Sequence, residues 1–426
     1  MKKLMYDYLI NYLPPIEIAR LRLEMNQPLK YKGLLINPAR ISSDILFAEF
    51  KSLTKDETNP NFFTYIKDED TPGRNILHEA GAYYILDRSS MLISHFLEPL
   101  KNELVLDMCA APGGKTISYA LKNPQALIVA NDFSTKRASE LSKNIERMGL
   151  ANVIVTNFDP NYFLKDFIGY FDKIILDAPC SGTGMFRKES KMEEDWSYEK
   201  TLRLLPLQDK LLDIAYRLLS PGGVISYSTC SFLHEEDEER VQKVINDHND
   251  LHLVKLKMSE GFYEGTLEGT IHIFPHLYQG EGHFLAQLVK EGTPSSLEID
   301  KKIGTFDSTL NLYTFEYQNE KYGLPFIVNS LINLPALRMG LKITNRTKYA
   351  KCPWDHALSH YLNSIKSIKL TKKEALAYLN GEELTSSIDI EDGYYLVSYN
   401  TINLGYVNKK GKRLKNCYPK GLRIKV

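Results

Sequence analysis

Two cysteines and their neighbours carry the strongest chemical signal in this chain of 426 residues. Cys180 stands in DAPCSGTG, behind Pro179 and ahead of Ser181, Gly182, Thr183 and Gly184, a loop that would hold a thiol open at a site. Cys230 stands in STCSF, behind Ser228 and Thr229. Near neutral pH a thiolate is the best natural nucleophile for adding to an electron-poor ring carbon. A lone free cysteine is as often a small buried hydrophobe. These two, however, each close an apolar run, so neighbouring strand ends can bring them together. Asp177, just ahead of Ala178-Pro179-Cys180, is placed to hydrogen-bond a polar ring edge or to orient a cofactor.

A second group surrounds LDMCAAPGGKT, Leu106 to Thr116. Gly113 and Gly114 let backbone approach a ligand. The helix that follows offers free amides and a positive dipole end to an anionic group. A Walker loop would need glycine where Cys109 stands, and GxGxxG is absent, so neither phosphate-loop reading holds. Asp132 and Asp159 follow the next two apolar runs. An acid at the first position can accept from ribose hydroxyls, and one at the second from an adenine amino group. Three ligand-compatible signals at consecutive strand ends point to a nucleoside-like ligand.

The elements that must position these residues are strands alternating with helices from about residue 76. ELVLDM (103–108), ALIVAND (126–132), NVIVTNFD (152–159), FDKIILDAP (171–179) and GGVISYSTC (222–230) read as strands. KTISYALK, TKRASELSKNIERMGL with Gly149 as its stop, and TLRLLPLQDKLLDIAYRLL ending at Ser220-Pro221-Gly222 read as helices. This alternation predicts an α/β fold, a doubly wound parallel sheet with ligands at the carboxyl ends of its strands. Residues 1–75 mix short helical patterns with loops. The polar stretch 291–302 reads as a linker, and beyond it LTKKEALAYLNGEE is helical while YYLVSYNTINLGYV is strand-like.

Charge is balanced over the whole chain but not along it. Residues 1–300 hold 33 basic and 43 acidic side chains, and residues 301–426 hold 20 and 10. Residues 407–426 contain eight Lys/Arg, no acid, and Tyr418, a pattern suited to phosphate contact and stacking. The five cysteines form no CxxC pair and no disulfide framework, which fits a reducing cytoplasm and predicts no metal. No apolar run reaches membrane-span length, and Asp7 and Asn11 interrupt the N-terminal run, so neither a membrane partner nor a signal peptide is expected.

Together LDMCAAPGGKT, the Asn131-Asp132 pair, DAPCSGTG and YSTCS resemble the signature motifs of Sun-type RNA cytosine-C5 methyltransferases. The similarity covers about 76–290, including HLYQGEGHFLAQLVK, and the ending KNCYPKGLR (415–423) is similar to that of the bacterial RsmF type, which acts on 16S ribosomal RNA. HEAGAYYILDRSSM resembles the segment leading into the catalytic domain, with Leu86 where relatives usually carry Gln. The resemblance implies a Rossmann-like S-adenosylmethionine-dependent domain over 76–290. It implies an N-terminal α+β substrate-binding segment over 1–75 and a β-rich, PUA-like RNA-binding region over 303–426. The backbone of Cys109, Ala110, Ala111, Pro112, Gly113, Gly114 and Lys115 would cradle the methionine end of S-adenosyl-L-methionine. Asp132 would take the ribose, Asp159 the adenine, Arg137 would lie near the cofactor, and Asp177 would lie between cofactor and cytosine. Cys230 would be the nucleophile at cytosine C6, with Cys180 assisting release.

The partner implied is RNA, with 16S ribosomal RNA or the small subunit foremost. Two readings stand beside it: the same chemistry on transfer RNA, and a ribosome-assembly factor with a vestigial methyltransferase fold. The intact Cys180, Cys230, Asp132, Asp159 and glycine turn argue against the second.

Overall fold

Five runs of Val, Ile and Leu form the parallel centre of the molecule. The computed structural model describes residues 2–57, 59–188, 190–293, 304–348, 350–362 and 367–424. In spatial order the central strands are Val153–Thr156, Leu127–Asn131, Leu104–Asp107, Phe171–Asp177 and Leu219–Thr229, all parallel. Helices cover both faces, so side chains on either side of the pleat, such as Leu104, Val105, Ile128, Val129 and Ile174, are fully buried. His283–Lys290 adds antiparallel beside the fifth strand, with Phe284 opposite Thr229. Ile271–Ile273 and Tyr263–Glu264 extend the sheet beyond it.

The crossover helices are Gly114–Lys122, Thr135–Met148 and Tyr198–Leu218. Ser134 caps the second, and Gly149 stops it at φ 64°, a left-handed conformation that glycine adopts without a Cβ clash. The third departs from the expected ending. It stops at Leu218, and Ser220-Pro221-Gly222 lies inside the next strand. A register shift between Phe171 and Lys173 absorbs the extra residues, because Leu219 pairs with Phe171 and Val224 with Lys173.

The flanking regions are joined to this sheet and to each other. An N-terminal sheet of Thr54–Lys55, Phe62–Ile66, Tyr31–Ile36 and Tyr83–Leu86 takes its last strand from beyond residue 75. At the other end, Thr305–Asp307, Leu312–Tyr317, Glu320–Leu324 and Leu341–Lys342 form one antiparallel sheet. Arg338–Met339 leaves that region to pair with the central strand Val153–Thr156, Arg338 opposite Val155. The strand-like YYLVSYNTINLGYV is two strands, Gly393–Tyr399 and Ile402–Lys410, in a five-stranded sheet. The turn between them is made by Asn400 and Thr401, both at positive φ. Of the expected linker, residues 294–302 lie outside the described residues.

One hydrophobic core contains Leu34, Phe63 and Tyr83 from the N-terminal part together with Ala375, Tyr378, Leu404 and Leu414 from the C-terminal part. Arg40 ties the same seam, donating to the carbonyls of Ala80 at 2.9 Å and Asn403 at 2.7 Å.

Candidate active site

The carboxyl ends of the neighbouring strands Phe171–Asp177 and Leu219–Thr229 meet at the two thiols. Cys180 Sγ and Cys230 Sγ are 3.1 Å apart, and the Cys230 amide donates to Cys180 Sγ at 3.3 Å. The loops carrying them are stitched by backbone. Gly184 N donates to Cys230 O at 2.9 Å, and Gly282 N to Gly184 O at 3.0 Å. A Cβ on Gly184 would meet Gly282 O at 2.6 Å and Cys230 O at 2.9 Å, so glycine is required for this approach. Thr183 adds a bond, its hydroxyl accepting from Phe232 N at 2.8 Å. The hydrogen bond with Cys230, then burial and the negative Glu236 and Asp177, push the Cys180 thiol well above the usual cysteine range.

Asp177 links this pair to the glycine turn. Its carboxylate pairs with Lys115 Nζ at 2.7 Å and accepts from Ser228 Oγ at 2.8 Å. Burial, the largest single influence, opposes its ionisation, but Lys115, His283 and the Ser228 hydroxyl together hold the carboxyl below the usual range. One ion pair therefore spans two of the motifs that the sequence singled out.

The turn itself is a cradle. Gly113 sits at φ 115°, where a Cβ would meet Leu141 Cδ1 at 2.9 Å. The first-turn amides of the helix Gly114–Lys122 have no intrahelical acceptor. Asp132 is buried and braces the turn, accepting from Ala111 N at 3.3 Å and Ser134 N at 2.9 Å. Arg137 pairs with Asp132 at 3.5 Å and donates to Ala111 O, so it closes the same cradle. Cys109 is partly exposed at the turn, and burial with the surrounding carboxylates pushes its thiol up. Asp159 is exposed and caps the short helix Pro160–Lys165, its Oδ1 accepting from Asn161 N at 2.9 Å. That cap fixes one oxygen and holds the carboxylate below its usual range.

Four contributors were missed by sequence reasoning. Asp107, at the end of the strand Leu104–Asp107, is buried, accepts from Thr116 Oγ1 at 2.6 Å, and is pushed up to about 7 by burial. A carboxylate ending an apolar strand was a usable signal. Glu236 accepts from Ser181 N at 2.8 Å and Gln208 Nε2 at 3.0 Å, anchoring the Cys180 loop. It belongs to the run HEEDEE, which on pattern alone reads as a solvated face. The run instead folds inward: Glu238 pairs with His272 at 2.9 Å and His234 at 3.1 Å. His283 is buried, bonded to Ser89 Oγ at 2.7 Å, and burial lowers it to about 4, so it is neutral at the site. Phe133, directly after Asp132, is 71% exposed, a flat apolar face beside the cradle.

The comparisons with known proteins point one way. The family model for 16S rRNA methyltransferase RsmB/F matches residues 94–289, and that for the methyltransferase RsmF PUA domain matches 365–424. The ribosomal RNA small subunit methyltransferase F of Shewanella loihica is 31% identical over 398 residues, 85% of this chain and 82% of that one. The same-named protein of Salmonella agona is 31% identical over 384 residues, 82% and 80% of the two chains. The chain belongs to the RsmF type of the RsmB/F family of 16S rRNA methyltransferases. Among solved structures, a methyltransferase homologue from Pyrococcus horikoshii shares 28% identity at TM-score 0.57, over 67% of this chain and 93% of that one. NSun6 from the same organism, at 20% identity and TM-score 0.61 over 68% and 98% of the chains, shares the fold.

As an RsmF-type enzyme the protein uses S-adenosylmethionine and methylates cytosine C5 in RNA. The residues present fit that cofactor. Backbone at Gly113 is bare enough for close approach, the buried carboxylate of Asp132 supplies acceptors of the kind a diol needs, and the exposed Phe133 ring offers a stacking face. Among the described residues no helix is long and apolar enough to cross a membrane.

Proposed function

We propose that this RsmF-type enzyme acts in the cytoplasm on cytosine of the small-subunit ribosomal RNA, through a covalent bond from Cys230 to base carbon C6. The observation that carries the reading is the thiol pair, 3.1 Å apart with Cys180 pushed upward and kept as a thiol. A group that stays protonated is suited to handling a proton, which leaves attack to Cys230. Cys230 thiolate adds to C6, and the electron pair of the C5–C6 double bond moves to C5. S-adenosylmethionine, when bound, supplies a sulfonium methyl for C5. A base removes the C5 proton, the C–S bond breaks as the double bond reforms, and Cys180 donates to the departing Cys230 sulfur. Asp177, fixed by Lys115 and Ser228, orients the polar edge of the base. Cys109 to Lys115, Asp132, Arg137 and Asp159 hold the cofactor. A base within a duplex is shielded, so the target is a loop or is extruded.

In this reading the N-terminal segment 1–75 and the basic region 303–426 grip RNA around the catalytic domain 76–290. Bisulfite sequencing of small-subunit and transfer RNA, from cells with and without the protein, tests the target. A cytosine of the small-subunit RNA should lose protection when the protein is absent. Loss confined to transfer RNA would overturn the proposed substrate.

A further inference from the structure

A cleft of about 410 Å³ lies in the C-terminal region and shares no residue with the cysteine site. Its walls come from Glu146, from residues 345, 347, 350–352 and 354–356, from Tyr406, and from the turn 417–420 that follows the strand Arg413–Asn416. The volume is that of a small-ligand site. Trp354, 39% exposed, lines it and is held by two tyrosines, edge-on to Tyr394 at 5.9 Å and tilted against Tyr406 at 5.4 Å. A tryptophan fixed in this way offers a flat face at little entropic cost.

The cleft also has a surplus of positive charge. Lys351 and Lys420 line it, and burial together with Arg423, Lys420 and Lys415 lowers the Lys351 ammonium below its usual range. Among the described residues none of these four cations pairs with a carboxylate. The acids in the wall are already committed: Glu146 pairs with Arg338 at 2.7 Å, and Asp355 faces the same guanidinium at 4.0 Å. The hydroxyls of Tyr406 and Tyr418 in the walls are buried without a hydrogen-bond partner. An aromatic face, uncompensated cations and spare polar groups around one cleft match a base joined to a phosphate.

We propose that this cleft binds a single unpaired nucleotide of the RNA substrate, its base on Trp354 and its phosphate between Lys351 and Lys420. The inference rests on the reading that the chain acts on RNA and makes the C-terminal contact specific. The chain has two tryptophans, and the other, Trp196, is buried, so quenching by direct contact with a bound base reports on Trp354. Full-length protein would be titrated with a single-stranded decaribonucleotide. Quenching is expected with wild type and should vanish in Trp354→Phe. Trp354→Ala should weaken binding about tenfold, as loss of one stacked base does, with cofactor affinity unchanged. Lys351→Gln and Lys420→Gln should each lower the salt slope of binding. Unchanged affinity in Trp354→Ala, with lowered slopes in the lysine variants, would overturn the pocket and leave a backbone contact. Unchanged affinity and slopes in every variant would overturn any RNA contact here. Failure to methylate any RNA would instead bring down the functional reading beneath it.

Discussion

If Cys230 attacks and Cys180 resolves, their alanine variants must part company. Cys230→Ala cannot begin the reaction and should form no covalent complex with RNA. Cys180→Ala can begin it but resolves slowly, so an RNase-sensitive conjugate should build up on denaturing gels when cofactor is present. Loss of one sulfur in a core costs similar stability at either site, so packing alone forecasts no conjugate from either variant. A conjugate from Cys230→Ala alone would mean the roles are reversed. Asp107 gives a second test at this scale. With its carboxyl raised to about 7 from 3.8, the folded protein retains a proton that the unfolded chain has released. The contribution of Asp107 to stability should therefore fall as pH rises from about 4 to 7. Asp107→Asn removes that slope, and its stability relative to wild type should rise by up to about 4 kcal/mol between those limits, measured by urea unfolding. The residues proposed to face ligand were readable from type and spacing, and the structure brings Cys180 to Cys230, Asp177 to Lys115 and Asp132 to the glycine turn. Those that hold them from behind, Glu236 and His283, were not, because their partners lie distant in sequence: Ser181 and Gln208 for one, Ser89 for the other.

At the scale of elements, the two cysteine loops are held by backbone contact through Gly184. Gly184→Ala would press a Cβ against two carbonyl oxygens, Gly282 O and Cys230 O, which cannot rotate away. The thiol spacing should open, and methyl transfer should fall by at least about tenfold, since small misplacements of reacting groups cost that much or more. Cofactor affinity, measured by calorimetry, should stay within about twofold, because the cradle from Cys109 to Lys115 lies on another strand end. The five central strands were legible because both faces are covered, which writes unbroken Val, Ile and Leu into each run. The junction at Leu218 and Leu219 was not. Its bulge answers a register with Phe171 that no local pattern encodes.

The whole molecule is more continuous than its charge profile suggests. A basic C-terminal region reads as a detachable module, yet Arg338–Met339 completes an edge of the catalytic sheet, and Leu34, Phe63 and Tyr83 share a core with Tyr378 and Leu414. Such contacts between distant segments have no signature in composition. A chain ending at residue 303 would expose that shared core, and emptying large buried apolar sites costs several kcal/mol each. Truncation should therefore lower the denaturant midpoint or prevent folding, and a soluble fragment of unchanged stability would contradict the shared core. Catalysis itself is best tested with the intact chain. Purified protein would be incubated with methyl-labelled S-adenosylmethionine and small-subunit ribosomal RNA lacking the modification, and the RNA digested to nucleosides. Label should appear in 5-methylcytidine with wild type and be absent with Cys230→Ala. Label in another nucleoside, or equal label in 5-methylcytidine from Cys230→Ala, would contradict cytosine-C5 methylation through Cys230.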